Sequence, residues 1–238
     1  MGSASYVTLS RQSGLLAEMQ VVANNIANAA TTGYRQEGVI FAEYVQPAGA
    51  GPSLSIAHAK ARSISLQQGA LTETGGRLDL AIEGAGFFLV ETPSGQRLTR
   101  AGSFALSAGG DLVTSAGYRV LDDGGAPIFV PPDASDLSVA ADGTISAGGN
   151  PLGRIGLVRP ADSAALVREA GTLMRTESPL EPVPEARVLQ GFLEGANVEP
   201  ILQVARMIEV QRAYELGQSF LDAENERLRE AVQALTRR

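Results

Sequence analysis

The last stretch of this chain, Val198 to Arg238, constrains its fold most. Met207, Val210, Tyr214, Gly217, Leu221, Glu224, Leu228, Ala231 and Leu235 recur at alternating steps of three and four, the heptad pattern of a helix with one continuous seam. Glu224 is the only charge on that seam. Asn197 is a suitable cap, and Pro200 stands where a first helical turn tolerates it. A helix over residues 199–236 would run roughly 55 Å at about 1.5 Å per residue. That is too long to lie across a globule of 238 residues. Ile201, Val204 and Ile208 add a second apolar stripe beside the first. Such a helix needs partners on more than one side; the plain alternative is a terminal helix packed on its own domain.

The other end of the chain carries a second helical pattern. From Ser5 to Ala30, Leu15, Met19, Val22 and Ile26 are spaced four, three and four, so they share one face. Ser13, Ala17, Gln20 and Asn24 lie opposite, and Gly33 supplies a left-handed residue of the kind that closes helices. Asn24 and Asn28 fall on one row with Asn25 beside them. Asparagine is a poor helix-interior residue, so the cluster reads either as amides that bond a neighbouring chain or as a fraying helix end.

Between the ends, breakers and alternation dominate. The segment 35–60 reads as a connector, because Gln46-Pro47-Ala48-Gly49-Ala50-Gly51-Pro52-Ser53 suits neither a helix nor a central strand. Leu78, Leu80 and Ile82 alternate with Asp79, Ala81 and Glu83, the period of a half-buried strand. Turn clusters follow at Pro93-Ser94-Gly95, Gly109-Gly110-Asp111, Asp122-Asp123-Gly124-Gly125, Asp142-Gly143 and Gly149-Asn150-Pro151. Prolines 179, 182 and 184 mark an extended return path. The expected fold class is α+β and discontinuous. Long N- and C-terminal helices (1–34 and 198–238) pair as a coiled-coil-like domain. A mainly antiparallel, barrel- or sandwich-like β domain (61–185) is inserted between connectors at 35–60 and 186–197.

Composition and motifs exclude most chemistry. A net charge of −7 with no Lys/Arg cluster before the last two residues supplies no phosphate-neutralising patch, so nucleic-acid binding is not expected. With no Cys, thiol chemistry and Cys-based metal sites fall away. No apolar run reaches the ~18 residues of a membrane span, and Met1 to Ser10 has neither a basic nor an apolar region of a cleavable signal. Gly84-Ala85-Gly86 lacks the third glycine of a dinucleotide loop and reads as a turn. His58 is the single histidine and cannot make a zinc site alone. Asp79 and Glu83 would stand roughly 13 Å apart on a strand, beyond the separation glycosidic cleavage uses. No catalytic set, cofactor, metal or small-molecule substrate is expected. A 44% hydrophobic fraction still permits a real core, even with aromatics at 5%.

Three separate stretches carry a resemblance. Ala23-Asn24-Asn25-Ile26-Ala27-Asn28-Ala29-Ala30-Thr31-Thr32-Gly33-Tyr34 resembles the N-terminal motif of the bacterial flagellar rod and hook proteins. Thr74 to Phe88 and Thr99 to Phe104 are similar to that family's middle. Gly191 to Pro200, followed by Met207-Ile208-Glu209-Val210-Gln211-Arg212-Ala213-Tyr214, is similar to its other end. The short segment between Arg35 and Gly75 most resembles the proximal-rod branch, with a shortened distal-rod member as the alternative. The resemblance implies a structural subunit of the basal-body rod. It would polymerise with itself and other rod proteins into the hollow shaft that crosses the periplasm, and leave the cytoplasm through the flagellar export apparatus. Leu15, Met19, Val22, Ile26, Asn24, Asn25 and Asn28 would form the N-terminal assembly seam. Met207, Val210, Tyr214, Leu221, Leu228 and Leu235 would form the C-terminal one. Phe41 and Val45 resemble the pattern read at the export gate; the alternative is a pair of core residues in a short helical turn. The rival from another class is a periplasmic binding or glycan-cleaving β domain with a coiled-coil oligomerisation tail.

Overall fold

The computed structural model describes the backbone of residues 2–46, 54–131, 134 and 136–236, and the side chains of residues 7–41, 61–131, 134 and 136–236. The chain is α+β and divides into two units. The first unit comprises Met1–Ala27, Glu37–Ser63 and Glu199–Arg238, and the second Asn28–Gln36 and Ile64–Val198.

The first unit holds α1 (Gly2–Ala27), the strands β1 (Glu37–Gln46) and β2 (Leu54–Ile64), and, at the other end of the chain, α2 (Pro200–Thr236). The segment expected as a connector is therefore a two-stranded sheet, β1 with β2. The breaker cluster between them concealed Val39, Ile40, Phe41, Tyr44 and Val45, a β-branched and aromatic series with high strand preference. Phe41 and Val45 thus lie on a strand and not in a helical turn.

The helices run antiparallel. Gln12 donates to the Tyr214 carbonyl at 3.3 Å, Arg206 reaches Glu18 at 2.6 Å, and Asn25 donates to Gln203 at 3.2 Å. In that register, about three turns of α2 run past the beginning of α1.

The second unit is built from short strands: β3 (Leu71–Glu73), β4 (Leu80–Glu83), β5 (Phe87–Thr92), β6 (Gly95–Thr99), β7 (Phe104–Leu106), β8 (Leu112–Thr114) and β9 (Arg119–Val120). It continues through β10 (Leu137–Val139), β11 (Thr144–Ala147), β12 (Asn150–Arg154) and β13 (Leu157–Pro160). After a 3-10 turn at Ser163–Ala165 come β14 (Val167–Ala170), β15 (Leu173–Arg175), β16 (Leu180–Pro182), β17 (Arg187–Gln190) and β18 (Phe192–Glu194). Nine strands form one sheet in the order β14-β15-β6-β5-β9-β8-β7, with β13 joining both β5 and β16. A three-stranded sheet, β10-β11-β12, and the pairs β17-β4 and β18-β3 complete the unit. Its pairings are antiparallel. The strand order does not close on itself among the described residues, so the barrel expectation is corrected to open sheets.

β5 explains why this unit holds together. Its apolar run places Phe88 and Val90 in one core with Leu80, Ile82, Leu112 and Val120, and Phe87 and Leu89 in another with Leu98, Leu121 and Met174. Successive side chains of a strand alternate faces, and here both faces are covered. β4 departs from its expected half-buried character for the same reason, since Ala81 is as buried as Leu80 and Ile82. The Gly84–Gly86 turn follows, with both glycines at positive φ (100° and 109°). Gly33 is required twice over: its φ is 70°, and a Cβ there would lie 2.2 Å from the Ala101 amide nitrogen.

Candidate assembly surfaces

The covered face of α1 is centred on Gly14, Glu18, Val21 and Asn25, one residue ahead of the apolar series. Val22 is buried, whereas Leu15, Met19 and Ile26 are half-buried along the border of that face. The centre is polar because α2 offers polar partners. Arg206 binds both Glu18 (2.6 Å) and Glu209 (3.0 Å), and the Glu18 contact followed by the Glu209 contact raises the guanidinium above its ordinary pKa.

Asn25 joins three elements. Its amide donates to the Glu37 carbonyl at 2.8 Å and to Gln203, and its carbonyl accepts from the Glu37 amide at 2.9 Å. At 1% exposure, this amide is bonded within the subunit itself. Asn24 accepts from Gln20 at 3.3 Å, and Asn28 from the Thr31 hydroxyl at 3.2 Å, as a helix-end residue does. Asn25→Ala is expected to lower the unfolding free energy of the purified chain by about 1–3 kcal/mol, the cost of leaving buried backbone groups unpaired. Urea denaturation checks this; a midpoint unchanged from the parent would return Asn25 to a surface role.

On α2, Val210 is buried and Met207, Tyr214 and Leu221 are half-buried, while Leu228 and Leu235 are exposed. The series thus divides between a covered half, where α1 lies opposite, and a bare half beyond it. The second stripe is exposed throughout: Ile201 at 84%, with Val204 and Ile208 at about half that. Leu216 (73%) and Phe220 flank a groove of about 380 Å³ between the two helices, whose floor includes Leu15 and Gly217. Phe41 of β1 is partly exposed and lies over Gly14, where an added Cβ would be 2.9 Å from its ring. The side chains of Val45 and His58 lie outside the described residues.

Sequence reading missed Gln12, Glu18, Gln203 and Arg206. A usable signal existed in the heptad series Gln203, Val210, Gly217, Glu224, which identifies Gln203 as a seam residue despite its polarity.

The second unit holds a buried ion cluster that spacing did not reveal. The Glu194 carboxylate meets Arg35 at 2.9 Å and Arg100 at 3.3 Å, and all three side chains are at most 2% exposed. Glu194 also accepts from the Gly69 amide at 2.9 Å. Arg35 donates to the Gln67 carbonyl, and Arg100 to the carbonyls of Ile82 (3.1 Å) and Gly84. Arg168 stacks on Tyr34, 4.1 Å from the ring centroid, and donates to the Arg35 carbonyl. Burial pulls the Arg100 guanidinium down to about 10; Glu194 opposes the shift and Arg35 adds to it. Asn197 ties the return path down by accepting from the Gln36 amide (2.6 Å) and donating to the Gln67 carbonyl (2.7 Å).

Among the described residues no group of His, Asp and Glu is placed to hold a metal ion, and no helix is long and apolar enough to cross a membrane. Asp122 bonds the amides of Gly124 (2.9 Å) and Ala126 (2.8 Å), which makes it a turn former.

The exposed apolar stripes of α2 fit a protein that works by packing. Known families agree. Residues 6–35 match the description "Flagella basal body rod protein", residues 81–147 "Flagellar hook protein FlgE/F/G D1 domain", and residues 189–234 "Flagellar basal body rod FlgEFG protein C-terminal". The chain belongs to the flagellar basal-body rod protein family, whose members are structural proteins and not enzymes. Within that family it is FlgF-like. It is 43% identical to the flagellar basal-body rod protein FlgF of Caulobacter vibrioides, over 99% of this chain and 98% of the relative. It is 37% identical to FlgF of Mesorhizobium japonicum, over 90% of each. Similarity to FlgG of Bacillus subtilis is 33%, over 95% of this chain and 97% of the relative. The binding or glycan-cleaving rival is not favoured.

Proposed function

We propose that this chain is a subunit of the proximal rod, polymerising with itself and with other rod proteins through paired terminal helices, as a coiled-coil-like layer lining a hollow shaft across the periplasm. The observation that carries this reading is the apolar surface of α2: Ile201, Leu216, Val232 and Leu235 are each more than half exposed. One subunit leaves that surface bare, whereas a helical array of heterologous contacts covers it in every subunit but those at the ends. Torque passes through such a shaft by side-chain packing, with no chemical step.

The subunit reaches its site through the flagellar export apparatus, with Phe41 and Val45 as the recognised pair. Phe41→Ala with Val45→Ala is expected to lower secretion several-fold while the melting of the β unit stays unchanged. Secretion at the parental level with normal expression would reduce both residues to packing. The main reading is tested by imaging purified basal bodies carrying a labelled subunit. Label between the export apparatus and the distal rod is expected, and label confined to the hook, or absent from basal bodies, would overturn it.

A further inference from the structure

The described residues of the second unit contain an open cleft of about 280 Å³ beside the buried ion cluster. Arg35, Arg100 and Arg159 contribute to its lining together with Phe87, Ser163 and Glu181. Arg159 at the rim faces two carboxylates, Glu181 (3.4 Å) and Glu185 (3.5 Å), so the rim is net acidic. The floor is not. Arg35 and Arg100 share the single carboxylate of Glu194, which leaves one positive charge in excess among side chains at most 2% exposed. The Nε atoms of both arginines are buried without a hydrogen-bond partner. Arg100 also lies 5.7 Å from the centroid of the Phe87 ring, a weak partner for a full charge. Buried charge left uncompensated is costly, and a charge-assisted pair with a carboxylate is the strong contact that relieves it.

We propose that this cleft is a carboxylate-binding site, whose occupant neutralises the excess charge on Arg35 and Arg100. Two sources offer that chemistry: an acidic side chain of a neighbouring subunit, which rests on the rod reading above, and a free small carboxylate. A cleft of this volume admits either. The chain's own excess of acidic residues, 26 against 19 basic, makes every neighbouring copy a supply of carboxylates.

The test titrates the purified full chain with sodium acetate against sodium chloride at matched ionic strength, following the guanidinium nitrogen resonances of Arg35 and Arg100. Saturable shifts are expected with acetate, half-complete on the order of millimolar, as for one charge-assisted contact. Shifts that are linear and equal for both salts overturn the proposal. Ser163 is exposed on the rim, so Ser163→Glu places a tethered carboxylate at the mouth without disturbing the buried cluster. It is expected to raise the melting temperature by about 2–4 °C and abolish the acetate shifts; retention of parental acetate binding overturns the proposal. Arg159→Gln, which removes the rim cation alone, is expected to weaken acetate binding about three-fold or more. Loss of rod assembly by a folded Ser163→Glu subunit assigns the site to a neighbour's side chain, and normal assembly assigns it to a free carboxylate. Failure of the rod reading itself would show as label absent from basal bodies, which leaves the titration untouched.

Discussion

Glu194→Gln is expected to lower the unfolding free energy of the β unit by about 3–5 kcal/mol, the range for removing one partner from a buried ion pair. The substitution preserves shape and one acceptor, so packing changes little. What changes is charge: Arg35 and Arg100, at 1% and 2% exposure, are left with no carboxylate between them. The Gly69 amide keeps an acceptor, but two desolvated guanidinium groups then face each other across a neutral amide. Urea denaturation of the purified chain checks the value. A loss below about 1 kcal/mol would mean that the backbone carbonyls of Gln67, Ile82 and Gly84 suffice for both cations. Added acetate should recover part of the loss if the adjoining cleft admits a carboxylate, because the floor would then hold two uncompensated charges. Replacing Arg35, Arg100 and Glu194 together by apolar residues of similar volume should cost less than Glu194→Gln alone.

Arg100 and Glu194 stand within the family motifs and Arg35 directly after the first of them, but none had a legible role. Nothing in the spacing of Arg35, Arg100 and Glu194 brings them together; β3, β4, β18 and the turn after α1 do so through pairings distant in sequence. The helices were legible because periodicity is local. Pro200 marked the start of α2, whereas Asn197, expected as its cap, instead bonds Gln36 and Gln67; Gly33 closed the turn after α1, where its backbone donates to the Glu194 carbonyl at 2.7 Å. The turn glycines, such as Gly95, Gly110 and Gly143, were legible too, since each takes a positive φ that other residues resist. Sheet order was not, because strands of two to six residues carry no record of their neighbours. β1 and β2 were missed for a different reason: the breakers between them dominated the reading of their flanks. On α1 the apolar series located the helix but displaced its covered face by one residue. Burial there follows what α2 presents, and Arg206 selects Glu18 over Met19.

The second large effect concerns assembly. Leu216→Asp is expected to leave the isolated subunit folded and exported, yet to stop construction of the hook and filament beyond the rod. Leu216 is 73% exposed, so a carboxylate there meets water, and the change costs the free chain about 0.5 kcal/mol of helix preference. Leu221→Asp is the less informative choice, because Leu221 is half-buried against its own subunit and its loss mixes folding with assembly. In the assembled shaft, a neighbour's helix laid along the groove between α1 and α2 would cover Leu216, Phe220 and Leu15. An unpaired carboxylate buried there costs several kcal/mol. The subunit repeats, so the penalty recurs at each equivalent contact, and a polymer held by many weak contacts fails where a single contact would only loosen. The measurement pairs thermal melting of the purified variant with electron microscopy of basal bodies from cells that produce it. Parental melting with rods truncated at this subunit is the expected result. Normal rods and normal swimming would mean that Leu216 faces water or the channel in the shaft, and that packing runs instead along Ile201, Val204 and Ile208.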